Sequence, residues 1–381
     1  MSSWLKSLSF LIFATAACGE SSVPDRAASS DENQAPAHYD AAAFLESDTY
    51  LLGHAGGHAF SPDGSRILVN SDRSGVFKAY ALGPEAEQFE SFGGDALNSL
   101  YGVSWFPAGP RILLTGDRGG NKHNSVFVRE PDGSLIDLTP PGDYEVAGQE
   151  SGLRFLGWRN DGTAFYLTST ERDPEVADLY VYDATSYERK MLFKNSRELP
   201  FPTRGFKLSP DGRWLSLDFH HTRYDFDLYL VDLESADREP RLILTSEGRE
   251  VIHTGYGFTP DSQKLIYGTD ATGEFLEART YDIASAETAP LVEADWDVVD
   301  VAFSADGRYR LATINVDAKF ETRIFDTEQD RLIDLSFMPE GQIRNPRFAE
   351  GGRMAVELVR DTSPPEIHLV DLEQRVSMRL T

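Results

Sequence analysis

Seven near-copies of one hairpin, recurring every 45 to 53 residues with apolar residues at fixed offsets, predict an all-β chain. The expected architecture is a seven-bladed β-propeller of four-stranded antiparallel blades. The stretch FSPDGSRILV from Phe60 returns as LSPDGRWLSL from Leu208, FTPDSQKLIY from Phe258 and FSADGRYRLA from Phe303. Further strands with period-two alternation follow each copy.

The turn comes first. The copies align on Pro62, Pro107, Asn160, Pro210, Pro260, Ala305 and Glu350. Proline pre-sets φ, aspartate bonds its own backbone, and glycine accepts the positive φ that closes the hairpin. Two positions before the anchor stand Phe60, Trp105, Trp158, Leu208, Phe258, Phe303 and Phe348. Six positions after it stand Leu68, Leu113, Tyr166, Ser216, Ile266, Leu311 and Val356. Constant offsets on both sides mean the turn takes no insertions. The aromatic column is the expected packing layer between blades.

Third strands read as DLYVYD from Asp178, DLYLVD from Asp227 and EIHLVD from Glu366. Fourth strands follow, such as RLILT from Arg241 and SMRLT from Ser377. Blade boundaries are expected near residues 54, 100, 152, 202, 252, 296 and 342. The first and last copies each have four strands of their own, so the ring is expected to close by packing; alternatively, Ser47 to Leu52 adds an edge strand.

The domain plan is a lipoprotein-type signal peptide over 1–18, a disordered tether over 19–46 and the propeller over 47–381. In MSSWLKSLSFLIFATAAC, Lys6 is the basic start, Leu8 to Ala14 the apolar stretch, and Thr15-Ala16-Ala17 the small residues before cleavage. Cys18 is the only cysteine, so no internal disulfide forms. It stands where the lipobox of bacterial lipoproteins, which this run resembles, carries its lipidated thiol. Thr15 departs from the usual leucine, and an ordinary signal peptide cut nearby is the alternative. Gly19 after the cysteine suits outer-membrane sorting, facing the periplasm. The polar tether has a typical reach of roughly 30 Å.

The formal net charge of -26 disfavours nonspecific nucleic-acid binding. No H-E-x-x-H or Cys/His spacing supports a metal, and adjacent His220 and His221 would point to opposite strand faces. Asn70 to Gly75 lacks the bidentate glutamate of a calcium loop, and GDRGGNKHNS from Gly116 lacks the ending of a phosphate loop. No catalytic residue, metal site or cofactor is therefore expected. One column stands out six positions before the anchor, where Gly56, Tyr101, Arg154, Arg204, Thr254, Val299 and Arg344 stand. Arg154, Arg204 and Arg344 start inner strands near a channel mouth and could present guanidinium groups to a carboxylate. The alternative is that each pairs with a neighbouring acid and only stabilises the ring.

Longer stretches carry a family resemblance. They include YLLGHAGGHAFSPDGSRILVNSDRSGVFKAYAL from Tyr50, VFVREPDGSLIDLTP from Val126, FYLTSTERDP from Phe165 and ADWDVVDVAFSADGRYR from Ala294. With these the chain resembles the N-terminal propeller of serine peptidases of the prolyl oligopeptidase / dipeptidyl peptidase IV class, and more loosely the propeller of TolB. In that family an α/β-hydrolase domain with a Ser-Asp-His triad follows. Here the sequence stops where that domain would begin, and it holds no G-x-S-x-G elbow. The resemblance thus implies a non-catalytic module that binds a peptide or protein, or a scaffold. The alternative is the non-catalytic half of a split peptidase acting with a separate hydrolase chain.

Overall fold

The computed structural model describes residues 47–83, 89–92, 99–117, 125–138, 152–173, 175–246, 248–361 and 363–381. The signal segment 1–18 with Cys18, the tether 19–46 and most of GDRGGNKHNS lie outside the described residues.

Each hairpin is built by its turn residues. Ser61, Ser209 and Ser304 donate to the aspartate two positions on, Asp63, Asp211 and Asp306, at 2.5–2.6 Å. The serine bonds hold the carboxyls of Asp63, at about 2, and of Asp306 below their ordinary range. The glycine positions are left-handed, with φ 68° at Gly64 and 78° at Gly212. The aspartates close turns, so the recurring hairpin is scaffold. All seven residues six positions after the anchor are buried, Ser216 included.

The strands form meanders in sequence order, and the sheets are those of a β-propeller. The inner strands are Tyr50–Leu52, Ser99–Trp105, Leu153–Trp158, Lys207–Leu208, His253–Phe258, Asp297–Phe303 and Gln342–Phe348. The expectation of seven separate four-stranded blades is corrected. Among the described residues five sheets are four-stranded, and repeats one and two share one eight-stranded sheet. The cause is a parallel pairing of Lys78 with Leu100, in which Leu100 N donates to Phe77 O at 3.1 Å. It joins the third strand of repeat one to the inner strand of repeat two.

Repeat one departs from expectation a second way. Its inner strand is Tyr50–Leu52, which pairs with Val69–Ser71, while Phe60 pairs with Ile67. The intervening residues Gly53–His58 leave the ladder. Inner strands of repeats two, three and five bulge at the equivalent place, skipping Val103, Leu156 and Tyr256. Repeat one expands that bulge into a strap.

First and last repeats share a core containing Leu52, Val69 and Tyr80 with Ala355, Ile367 and Leu380. Leu52 N also donates to Glu357 Oε1 at 2.7 Å. The ring thus closes by packing and a side-chain bond, and the edge strand Tyr50–Leu52 stays within its own repeat. No helix among the described residues is long and apolar enough to cross a membrane.

Candidate functional site at the propeller axis

The strap Gly53–His58 crosses the inner strands of several repeats. His54 N donates to Val103 O at 3.1 Å and His58 N to Ser104 Oγ at 2.8 Å in repeat two. The His54 ring meets Phe155 of repeat three edge-on at 5.4 Å. A side chain at Gly56 would run into Leu156 O, 2.4 Å away, so the strap approaches that strand as only glycine allows. From repeat seven, Arg347 donates to Gly53 O at 2.9 Å and His54 O at 3.2 Å.

Charged groups gather around the strap. Burial, then the cations Arg154, Arg347 and Lys207, hold the His54 imidazole down at about 4, so it is neutral at pH 7. Burial lowers Arg347 to about 10 against the pull of Glu357 and Asp300. Asp300 is solvent-exposed yet surrounded closely by protein. That crowding raises its pKa, while Lys207 and Arg347 act the other way. Asp218 is 3% exposed and accepts Thr254 Oγ1 at 2.7 Å and Gly255 N at 3.0 Å, tying repeat four to repeat five. Burial pushes its carboxyl up to about 6.

Of the three arginines singled out in the sequence, Arg154 and Arg204 are near enough for their charges to interact. Burial and then the Arg204 charge lower the pKa of Arg154. Arg344 lies instead over the Phe320 ring, 5.9 Å from its centroid. None of the three is in an ion pair with a described residue. Sequence reasoning missed Lys207, Arg347, His54, Asp218 and Asp300. A signal existed for two. Three positions before the anchor, five repeats carry Ala59, Ser104, Gly157, Gly257 and Ala302, whereas Lys207 and Arg347 stand in the others.

His220 stacks on Phe226 at 3.8 Å, whereas His221 bonds Asp227 at 2.8 Å. Among the described residues no group of three or more His, Cys, Asp or Glu could hold a metal ion.

Solved structures share this architecture. TolB from Acinetobacter baumannii superposes with a TM-score of 0.50 at 14% identity, over 82% of this chain and 76% of that one. A prolyl endopeptidase gives 0.61 at 14% identity, over 87% of this chain and 49% of that one. The fold is that of the TolB and prolyl endopeptidase propellers. The chain spans about half the length of that endopeptidase. An oligogalacturonate lyase in complex with manganese gives 0.57 at 13% identity, over 84% of this chain and 90% of that one. No protein-family model and no curated protein matches the sequence.

Proposed function

We propose that this chain is an exported, lipid-anchored propeller that binds a peptide or protein without catalysing a reaction, taking an anionic end at the axis. The carrying observation is that the Arg204 charge is felt at Arg154, neither arginine being in an ion pair with a described residue, in a chain of net charge -26. Uncompensated like charges within reach of one another favour an anion, and a peptide carboxylate fits a guanidinium bidentately. The likeness to TolB and peptidase propellers supports a scaffold or binding module. Export and anchoring at Cys18, at the outer membrane facing the periplasm, rest on the N-terminal sequence.

Calorimetry with short peptides tests the binding. Free-carboxylate peptides should bind about tenfold or more tightly than amidated ones, since a charge-assisted hydrogen bond contributes roughly 1.5–3 kcal/mol. Arg154→Gln and Arg204→Gln should erase that preference, and equal binding of both peptide forms rejects the reading. Purified protein should neither cleave prolyl reporters nor react with a fluorophosphonate.

A second reading is the non-catalytic half of a split serine peptidase. The observation favouring it is the likeness of its fold to the propellers of a prolyl endopeptidase and a puromycin hydrolase. Co-purification with a separate chain that labels with fluorophosphonate would support it over the first.

A further inference from the structure

We propose that the strand Lys319–Asp326 in repeat six is a docking edge, which takes an extended basic and apolar segment of a partner protein as an added strand. This goes beyond the axial reading and involves a different part of the ring.

The edge is open because its outer neighbour is short. Arg331–Leu332 pairs only with Phe325 and Asp326, and Ile333 N reaches one step further to Ile324 O at 2.7 Å. Peptide groups alternate sides along an antiparallel strand. Ile324 therefore shares its edge with Thr322 and Phe320. Among the described residues the Thr322 peptide groups have no backbone partner there, and Phe320 N has only a 3.4 Å bond to Gln342 Oε1. Outer strands of the other four-stranded sheets have four or five residues. The strand Ser363–Asp371 also outruns its neighbour, but its free end carries Pro364 and Pro365. Prolines lack the N–H that pairing needs and guard an edge. No proline guards Lys319–Arg323, and the charges of Glu321 and Arg323 pair with each other at 2.7 Å.

A groove of about 920 Å³ runs beside this edge, with Phe320, Leu335, Met338, Ile343 and Val359 among its walls. Phe320 is 37% exposed. Strand addition draws affinity from main-chain bonds and specificity from pockets for alternate side chains, and this groove supplies such space.

Charge selects the occupant. The groove also includes Glu340 and Asp361. Neither acid is in an ion pair with a described residue. The groove's cations are Lys319 and Arg360, and Arg360 is already paired with Glu366. Two unpaired carboxylates in one groove favour a lysine or arginine. The net charge of -26 also speeds the approach of a basic segment and disfavours a second copy of this chain.

The test uses the full chain and a panel of terminally blocked peptides about nine residues long, alternating valine with lysine or threonine. Blocked ends remove the carboxylate, so failure here is distinct from failure at the axial arginines. Saturable binding should slow hydrogen exchange at the Thr322 amide at least tenfold. The Glu321 and Arg323 amides face the neighbouring strand and should barely change. Methylating the edge-facing peptide nitrogens should weaken binding at least tenfold, and Glu340→Lys should weaken the lysine peptides more than the threonine ones. The proposal is overturned if no peptide in the panel protects Thr322, if the methylated peptides bind equally well, or if glutamate-containing counterparts bind as tightly. Protection of Thr322 in a self-associated protein without peptide would assign the edge to a second copy and overturn it too.

Discussion

Asp218→Asn should make the protein more stable at neutral pH, and the gain should fade in acid. Asp218 is buried and bonds two groups of the next repeat, yet its pKa stands at about 6. A carboxyl raised in the folded state contributes stability that is fully present below its unfolded value, 3.8, and is lost as pH rises through about 6. At about pH 7.5 the ionised form therefore costs the fold ~3 kcal/mol, at about 1.4 kcal/mol per tenfold change in protonation. Repeat one shows the neutral solution. Asn70, eight positions after its anchor as Asp218 is after its own, accepts Gly102 N at 2.6 Å and donates to Gly102 O at 3.1 Å. Asparagine at 218 keeps an acceptor for Gly255 N but gives up the attraction to Lys207. A net gain of roughly 1–3 kcal/mol is expected near pH 7.5, smaller by about 1.4 kcal/mol at pH 5 because the carboxyl is only then passing between its two pKa values. Urea unfolding of both proteins at both pH values measures it. His54 works in the opposite direction: its depressed pKa makes stability fall as pH drops from 6.5 toward about 4. Comparing the two proteins at each pH cancels that contribution. Equal destabilisation of the variant at both pH values would refute the reasoning, because the Asp218 charge would then be holding the repeats together.

Other outcomes are checked separately. Cys18→Ser should abolish metabolic labelling by a fatty-acid analogue, and equal labelling of both proteins rejects lipidation there. Gly102→Ala should cost roughly 1–3 kcal/mol in chemical unfolding, because its methyl would lie 2.7–2.9 Å from Leu68 side-chain carbons. Arg347→Met should speed hydrogen exchange at the His54 and His58 amides at least tenfold, since Arg347 grips the strap at Gly53 O and His54 O. Unchanged exchange would mean that Val103 and Ser104 suffice.

The repeating hairpin was legible because its information is local. Ser-x-Asp bonds, left-handed glycines and the buried residue six positions on all lie within one short stretch. The fusion of repeats one and two was not legible, since it turns on one parallel pairing between Lys78 and Leu100. Nor was the strap. In YLLGHAGGHAFSPDG the alternation breaks after Leu52, but nothing local says that Gly53–His58 reaches strands about 50 and 100 residues away. At the axis, the arginine column could be read from equal offsets. Asp300 and His54 could not, because their neighbours belong to other repeats and meet them only once the ring is formed.

The bond from Leu52 to Glu357 spans 305 residues of chain. Each hairpin can form from neighbours already synthesised, whereas this contact must wait for the seventh. Loop-closure entropy grows only as the logarithm of length, so the wait costs little free energy but sets an order of events. Until the last sheet exists, the apolar side of repeat one that will meet Ala355, Ile367 and Leu380 has nothing to cover it. An open arc of repeats is thus the species most prone to aggregate. The first of the described strands to be made is also among the last to be secured.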